Sequence, residues 1–275
     1  MNRVALVIGN SEYLNIGKLN NPKNDANDIA SILGKLNFDV EKVIDADLLD
    51  IQRSVNKFLQ ALDEYAVGLF FYAGHGMQID GKNYIVPVDL KLGDKSRTTV
   101  SCYCLNSLLD GAATYKGKTL ICILDACRDN PFAIGRGLIA GFAPFDNPPK
   151  GTIIAYSTGS DCSAFDGHGS NGLYTQVLKD AMLIPNLKIE DMFKSVRKNV
   201  SDISISQYGQ EQLSWEYSIL PERIQRIFGE RNRNIYGSCV KFNPIGGNTI
   251  HCSFGLIIKE KSIHVIDFQE KISAL

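Results

Sequence analysis

Short apolar runs alternate with amphipathic segments through the first two-thirds of the chain, and that rhythm leaves few folds open. Val4 to Ile8 is an apolar run closed by Gly9-Asn10, which reads as a buried strand. Asp25 to Leu36 then places Ala26, Ile29, Ile32, Leu33 and Leu36 at helical spacing, after a turn at Asn21-Pro22. The pattern repeats: strand Phe38 to Ile44, helix Ile51 to Leu62, strand Val67 to Tyr72, a hairpin strand at Tyr84 to Val88, a short helix at Cys104 to Leu109, and strands Leu120 to Leu124 and Thr152 to Tyr156. Helices at Leu173 to Met182 and Ile189 to Val200 follow. Alternating strands and helices predict an α/β fold, a mostly parallel central sheet with helices on both faces. In such sheets, reactive residues gather at the carboxyl ends of the strands.

Length and charge narrow the function classes. A chain of 275 residues holds one large domain, or one with an appendage, at roughly 150 residues per domain. Twenty-nine basic against thirty acidic residues give a net charge of −1, which excludes a nucleic-acid groove built on bulk positive charge. No apolar run approaches the ~18 residues of a membrane span. The chain opens without a charged n-region and apolar h-region, so a cytoplasmic location is expected, with the seven cysteines as reduced thiols.

Two segments read as connectors. Asp129 to Lys150 is rich in glycine and proline and forms a long loop between the fourth and fifth strands. Near Arg223 to Arg233 the character changes to short β-type runs at Cys239 to Phe242, Thr249 to Ile258 and Ile263 to Phe268, with a turn at Pro244 to Asn248. The expected organisation is a main domain over 1–222 and a small β segment over 233–275.

Of the four histidines, His75 alone is flanked by glycines at the end of an apolar strand, in Ala73-Gly74-His75-Gly76. The glycines are expected to let the chain turn and a substrate approach. Cys127 closes another strand, in Asp125-Ala126-Cys127-Arg128-Asp129. A nucleophilic cysteine needs an imidazole beside it, first to hold the thiolate and then to protonate the leaving amine. Adjacent strand ends would supply that proximity, and His75 precedes Cys127 by about 50 residues, a separation known for one class of thiol protease.

Several segments carry a resemblance in order along residues 1–220: Ala5 to Asn10, Asn24-Asp25-Ala26, Phe70 to Gly76, Tyr84 to Asp89, Asp125 to Phe132, Tyr156-Ser157-Thr158, Asn171 to Thr175, Glu190 to Lys194 and Trp215-Glu216. Together they resemble the caspase-like clan of cysteine proteases (peptidase family C14). The bacterial, paracaspase and metacaspase members match better than animal caspases. The resemblance implies a caspase-like three-layer sandwich, with Cys127 as nucleophile, His75 as acid and base, and the N–H groups of Gly76 and Cys127 as oxyanion hole. It implies no cofactor and names no third member of a triad.

Animal caspases carry glutamine two residues before the nucleophile, whereas this chain has Asp125. The resemblance makes Asp125 part of a pocket for arginine or lysine, with Asp25 as a second carboxylate and Asp161 or Asp166 as a third. Cleavage after Arg is expected before Lys, because a guanidinium fork suits paired carboxylates. The alternative for Asp25 is an exposed turn or helix-start aspartate. Trp215 is either a wall of the substrate groove or a core anchor. The backbone at Tyr156-Ser157 is expected to pair with an extended substrate.

Other patterns carry less. Gly111 to Thr119 has the wrong glycine spacing for a phosphate loop and precedes a strand instead of following one. Cys102 and Cys104 lack a second pair, Cys239 with His251-Cys252 is too thin for zinc, and Asp45, Asp47 and Asp50 lack the glycine of a calcium loop. No metal site is expected. The partners expected are peptide substrates with a basic residue before the cleaved bond. An activator, a small molecule or protein acting through 233–275, and a homodimer are further expectations. The resemblance suggests an effector in antiviral defence or programmed death; the alternative is a latent binding module. Arg136 and Lys150 are candidate self-cleavage points.

Overall fold

The computed structural model describes residues 2–127, 139–159, 165, 167, 169–220 and 227–228. The chain divides into two units, Met1–Asn232 and Arg233–Leu275. The β runs expected in 233–275 lie outside the described residues, as do Arg136, Asp161 and Asp166.

The first unit runs β1 (Arg3–Gly9), α1 (Pro22–Lys35), β2 (Phe38–Ile44), α2 (Leu48–Ala61), β3 (Val67–Ile79), β4 (Lys82–Ile85), α3 (Lys95–Val100), β5 (Tyr103–Cys104), α4 (Leu105–Ala113), β6 (Thr119–Cys127), β7 (Ile139–Ala140), β8 (Thr152–Tyr156), α5 (Leu173–Met182), α6 (Ile189–Tyr208) and β9 (Trp215–Ser218). Local chemistry sets several boundaries. Pro22 opens α1, where its missing N–H costs nothing. The Asp47 carboxylate accepts from the Asp50 N–H at 2.8 Å and starts α2. Gly209, at φ 68°, ends α6.

The main sheet has strand order β2-β1-β3-β6-β8-β9. All neighbours are parallel except the last pair, β8 with β9. Side chains alternate across it. Val67, Leu69, Phe71 and Ala73 of β3 pack with Ile121 and Ile123 of β6 under α1, α5 and α6. Phe70 and Tyr72 pack with Leu120, Cys122 and Leu124 under α2 and α4. Every residue of β1 is buried, as expected of a strand covered on both faces. The three-layer α/β sandwich is as the sequence predicts.

Two strands run further than their apolar cores. β3 continues from Tyr72 through the glycine-flanked histidine to Ile79. Its parallel ladder with β6 ends at His75↔Cys127, and from Gly76 it pairs antiparallel with β4. β6 likewise continues past Leu124 to Cys127. His75 and Cys127 are therefore the last register pair of the central ladder, and not residues of the loops beyond it. Sequence periodicity ends the strands early because a change of partner carries no apolar signature.

Candidate active site

His75 is 3% exposed, and its imidazole is fixed from the loop that follows β1. Nε2 lies 2.8 Å from the Gly17 carbonyl oxygen. A carbonyl only accepts, so Nε2 carries the hydrogen, and in the neutral ring Nδ1 is the basic nitrogen. The Tyr13 ring packs on the imidazole with centroids 4.6 Å apart. The loop is itself anchored. Asp45 Oδ1 accepts from the N–H groups of Ser11 and Glu12 at 2.8 and 2.9 Å, and Asn10 bridges Ala46 and Val86. Cys127 stands beside His75 by register, at the spacing of neighbouring strands, ~4.8 Å between backbones.

The glycines flanking His75 also make room within the protein itself. A Cβ on Gly74, at φ 152°, would lie 2.6 Å from the Tyr72 hydroxyl and 2.7 Å from that of Tyr13. A Cβ on Gly76 would lie 2.5 Å from the Phe142 ring. The room both residues leave is filled by the protein's own aromatic side chains. Phe142 is buried, with its ring edge toward Tyr72 at 6.3 Å. Gly76→Ala should therefore cost about 1–3 kcal/mol of stability through overpacking. Chemical denaturation checks this, and Gly76→Ala combined with Phe142→Leu should recover part of the loss.

Asp125 follows Ile121 and Ile123 in the alternation of β6, and its Oδ2 accepts from the Thr175 hydroxyl at 2.7 Å. Asp25, on the first turn of α1, is buried, and its Oδ1 accepts from the Gly172 N–H at 3.1 Å. The two carboxylates border one point: a Cβ on Gly172 would stand 3.6 Å from Asp25 Oδ2 and 3.8 Å from Asp125 Oδ2. The Asp25 carboxyl is pushed up to about 8. Burial is the largest cause, followed by the charge of Asp125. Hydrogen bonds from Asn171 and Gly172 oppose the rise, and Asp28 adds a little to it. Lys179 bridges Asp28 and the Asn171 side-chain oxygen at 2.9 and 2.7 Å, and Asn24 bonds the Ser170 carbonyl. The helix start and the 170–172 turn are thus tied together around the acidic pair, and Asp25 is no exposed helix-start residue.

The remaining candidates are placed less centrally. Ser157 is buried, its N–H donates to Leu124 O at 3.0 Å, and its carbonyl accepts from Gln212 Nε2 at 2.8 Å. Both backbone groups of Ser157 thus bond within the protein, and its carbonyl keeps a second lone pair for a further donor. Trp215 is half-buried and stacks on Tyr156 at 4.2 Å and 6°, packed against the α2/α4 layer, whereas the carboxylates sit against α1 and α5. Among the described residues no group of three His, Cys, Asp or Glu side chains could hold a metal. No described helix is long and apolar enough to cross a membrane.

Sequence reasoning missed four contributors. Gly17 acts through its carbonyl, which any residue type would supply, so no side-chain signal exists. Tyr13 reaches His75 only through tertiary contact, and Tyr72, three residues before it on β3, reads in sequence as a core aromatic. Thr175 lies in a segment quoted for resemblance, and only the fold brings it to Asp125.

Three comparisons bear on this geometry. The model of peptidase family C14, the caspase domain, matches residues 2–225. Human mucosa-associated lymphoid tissue lymphoma translocation protein 1 is 30% identical over 187 residues, covering 66% of this chain and 22% of that protein. The mouse homolog is likewise 30% identical over 187 residues, with 21% of its length covered. The chain thus spans about a fifth of the length of these curated relatives. The crystal structure of the Drosophila initiator caspase Dronc superposes with a TM-score of 0.58 at 12% identity, covering 82% of this chain and 81% of that one. At that identity the likeness establishes the fold alone. The match from residue 2 to 225, laid over a sheet whose last central register pair is a histidine and a cysteine, establishes that this chain belongs to the caspase-domain family of cysteine peptidases.

Proposed function

We propose that this chain is a cysteine endopeptidase that cleaves after arginine, and after lysine more slowly. The observation that carries the proposal is the convergence of Asp25 and Asp125 on one point beside Gly172, with Asp125 two positions before the proposed nucleophile. A carboxylate pair so placed repels an acidic side chain and holds a guanidinium by charge-assisted hydrogen bonds.

In this reading the Cys127 thiolate attacks the scissile carbonyl carbon. Charge develops on the carbonyl oxygen and is met by the N–H groups of Gly76 and Cys127. His75, charged after taking the thiol proton, returns it to the leaving amine, and a thioester remains. Water then attacks that thioester, giving its proton to His75, and the thiolate leaves. The Gly17 carbonyl stabilises the imidazolium and holds the ring, the role a third triad residue plays elsewhere.

The test is hydrolysis of two fluorogenic peptides that differ only in an Arg or Asp before the reporter, with Cys127→Ala as the control. Arg cleavage that vanishes in the variant is expected. Cleavage of the Asp peptide would discard the acidic pocket and keep the Cys–His pair. Cleavage that survives Cys127→Ala would overturn the mechanism.

A further inference from the structure

The backbone of His75 is held by two side-chain hydroxyls in an arrangement the proteolytic reading does not require. The His75 N–H donates to the Tyr13 hydroxyl oxygen at 2.8 Å. The Tyr72 hydroxyl donates to the His75 carbonyl at 2.7 Å, which also accepts from the Val86 N–H at 3.2 Å, and lies 3.4 Å from the Val86 carbonyl. The two hydroxyl oxygens lie 3.3 Å apart. A tyrosine has one proton to give. Tyr72 gives its proton to the nearer carbonyl, that of His75, so the contact between the hydroxyls is donated by Tyr13. The hydrogen bonds then run one way, from the His75 N–H to Tyr13, from Tyr13 to Tyr72, and from Tyr72 back to the His75 C=O.

We propose that Tyr13 and Tyr72 are positioning residues for His75, closing a ring of hydrogen bonds around its two peptide groups and so fixing the direction in which its imidazole leaves the strand. This deepens the proteolytic reading and rests on His75 being its acid and base. Holding the N–H and C=O of one residue fixes its φ and ψ together, and with them the Cα–Cβ direction. Tyr13 adds its ring against the imidazole, and Gly17, from the same loop, sets the ring flip. Bonds that run in one sense polarise one another. Both rings are out of reach of bulk solvent: Tyr13 is 1% exposed and Tyr72 fully buried. Burial, with Tyr13 next in effect, also raises the Tyr72 hydroxyl well above the ordinary tyrosine value, so it remains a donor at any working pH. Gly74 belongs to the same device, since the space a Cβ would need holds both hydroxyls.

Tyr13→Phe and Tyr72→Phe remove the hydroxyls and keep ring volume. Each should lower kcat for the arginyl peptide ~10-fold, the scale of a small misplacement of an acid–base group, with KM moving by less than about two-fold. The double variant should cost no more than the worse single variant, because either change opens the ring. A readout independent of substrate is the 15N spectrum of the His75 side chain. Wild type should show hydrogen at Nε2 across the pH range in which the ring is neutral, and both variants a mixture of tautomers and a shifted imidazole titration.

Unchanged spectra with unchanged kcat would overturn the proposal, as would costs that add in the double variant. A fall in melting temperature alone would assign the tyrosines a purely structural role and overturn it too. Should wild type cleave neither peptide, the proteolytic reading fails and the His75 spectra decide the ring by themselves.

Discussion

His75→Ala should lower kcat/KM for an arginyl peptide ~10³-fold or more, the contribution of a positioned acid–base group together with the thiolate it maintains, and Cys127→Ala should leave no hydrolysis. The ground is the last register pair of the central ladder, which sets both residues on neighbouring strands with no loop between them and the core. Gly17→Ala is the informative companion. Its carbonyl stays in place, and a Cβ there meets nothing within 4 Å, so activity should remain within about two-fold of wild type. Alanine scanning would therefore report a dyad, although a backbone oxygen supplies the third contact. Steady-state kinetics on purified variants, with folding checked by circular dichroism, measures all three. A His75→Ala variant retaining more than about a tenth of wild-type activity would exclude His75 as the acid and base.

The acidic pair should reveal itself through opposite effects on activity and stability. Asp125→Asn should lower kcat/KM for the arginyl peptide ~100-fold, the scale for truncating one side of a buried charge pair, mainly through KM. Asp25 should add a pH dependence. Its carboxyl is pushed up to about 8 by burial and by Asp125, so at neutral pH the pocket holds a proton that a guanidinium must displace. Binding of the arginyl peptide should tighten as pH rises through about 8, with one proton released, and Asp25→Asn should flatten that rise.

Stability follows the opposite course. The folded-state value lies above the ordinary aspartate value of 3.8, so the folded protein holds this proton more tightly than the unfolded chain. The stabilisation is complete at low pH and is lost as pH rises toward about 8. Asp25→Asn should therefore melt above wild type at pH 8–9, while cleaving arginyl peptides less well. Thermal melts at several pH values, beside initial rates at the same values, test both signs. A variant destabilised at alkaline pH would show that Asp25 is not held in its neutral form.

The sequence by itself determined the class of fold, the main run of strands and helices, and the candidate pair His75 and Cys127. Buried parallel strands are near-continuous apolar runs, and β1, β3 and β6 could hardly be read otherwise. A histidine and a cysteine at the ends of such runs stand out because polar residues there interrupt a core. Asp125 was legible through the family resemblance, from its place two positions before Cys127. Other features were illegible because nothing local encodes them. β3 changes partner at Gly76, where hydrogen bonds move from β6 to β4 without a break in apolar pattern. β9 is a four-residue edge strand, defined by its antiparallel partner β8.

Only the tertiary structure decided what surrounds the histidine. A carbonyl at Gly17, a hydroxyl at Tyr13 and a ring at Phe142 converge on Gly74-His75-Gly76 from distant parts of the chain and meet the hydroxyl of Tyr72 on the same strand. The glycines read from sequence as freedom for the chain and a substrate also leave the room those groups occupy. Periodicity reports which face of an element is buried. It carries no information on which distant atom fills the space beside it, and that choice is made when the layers pack.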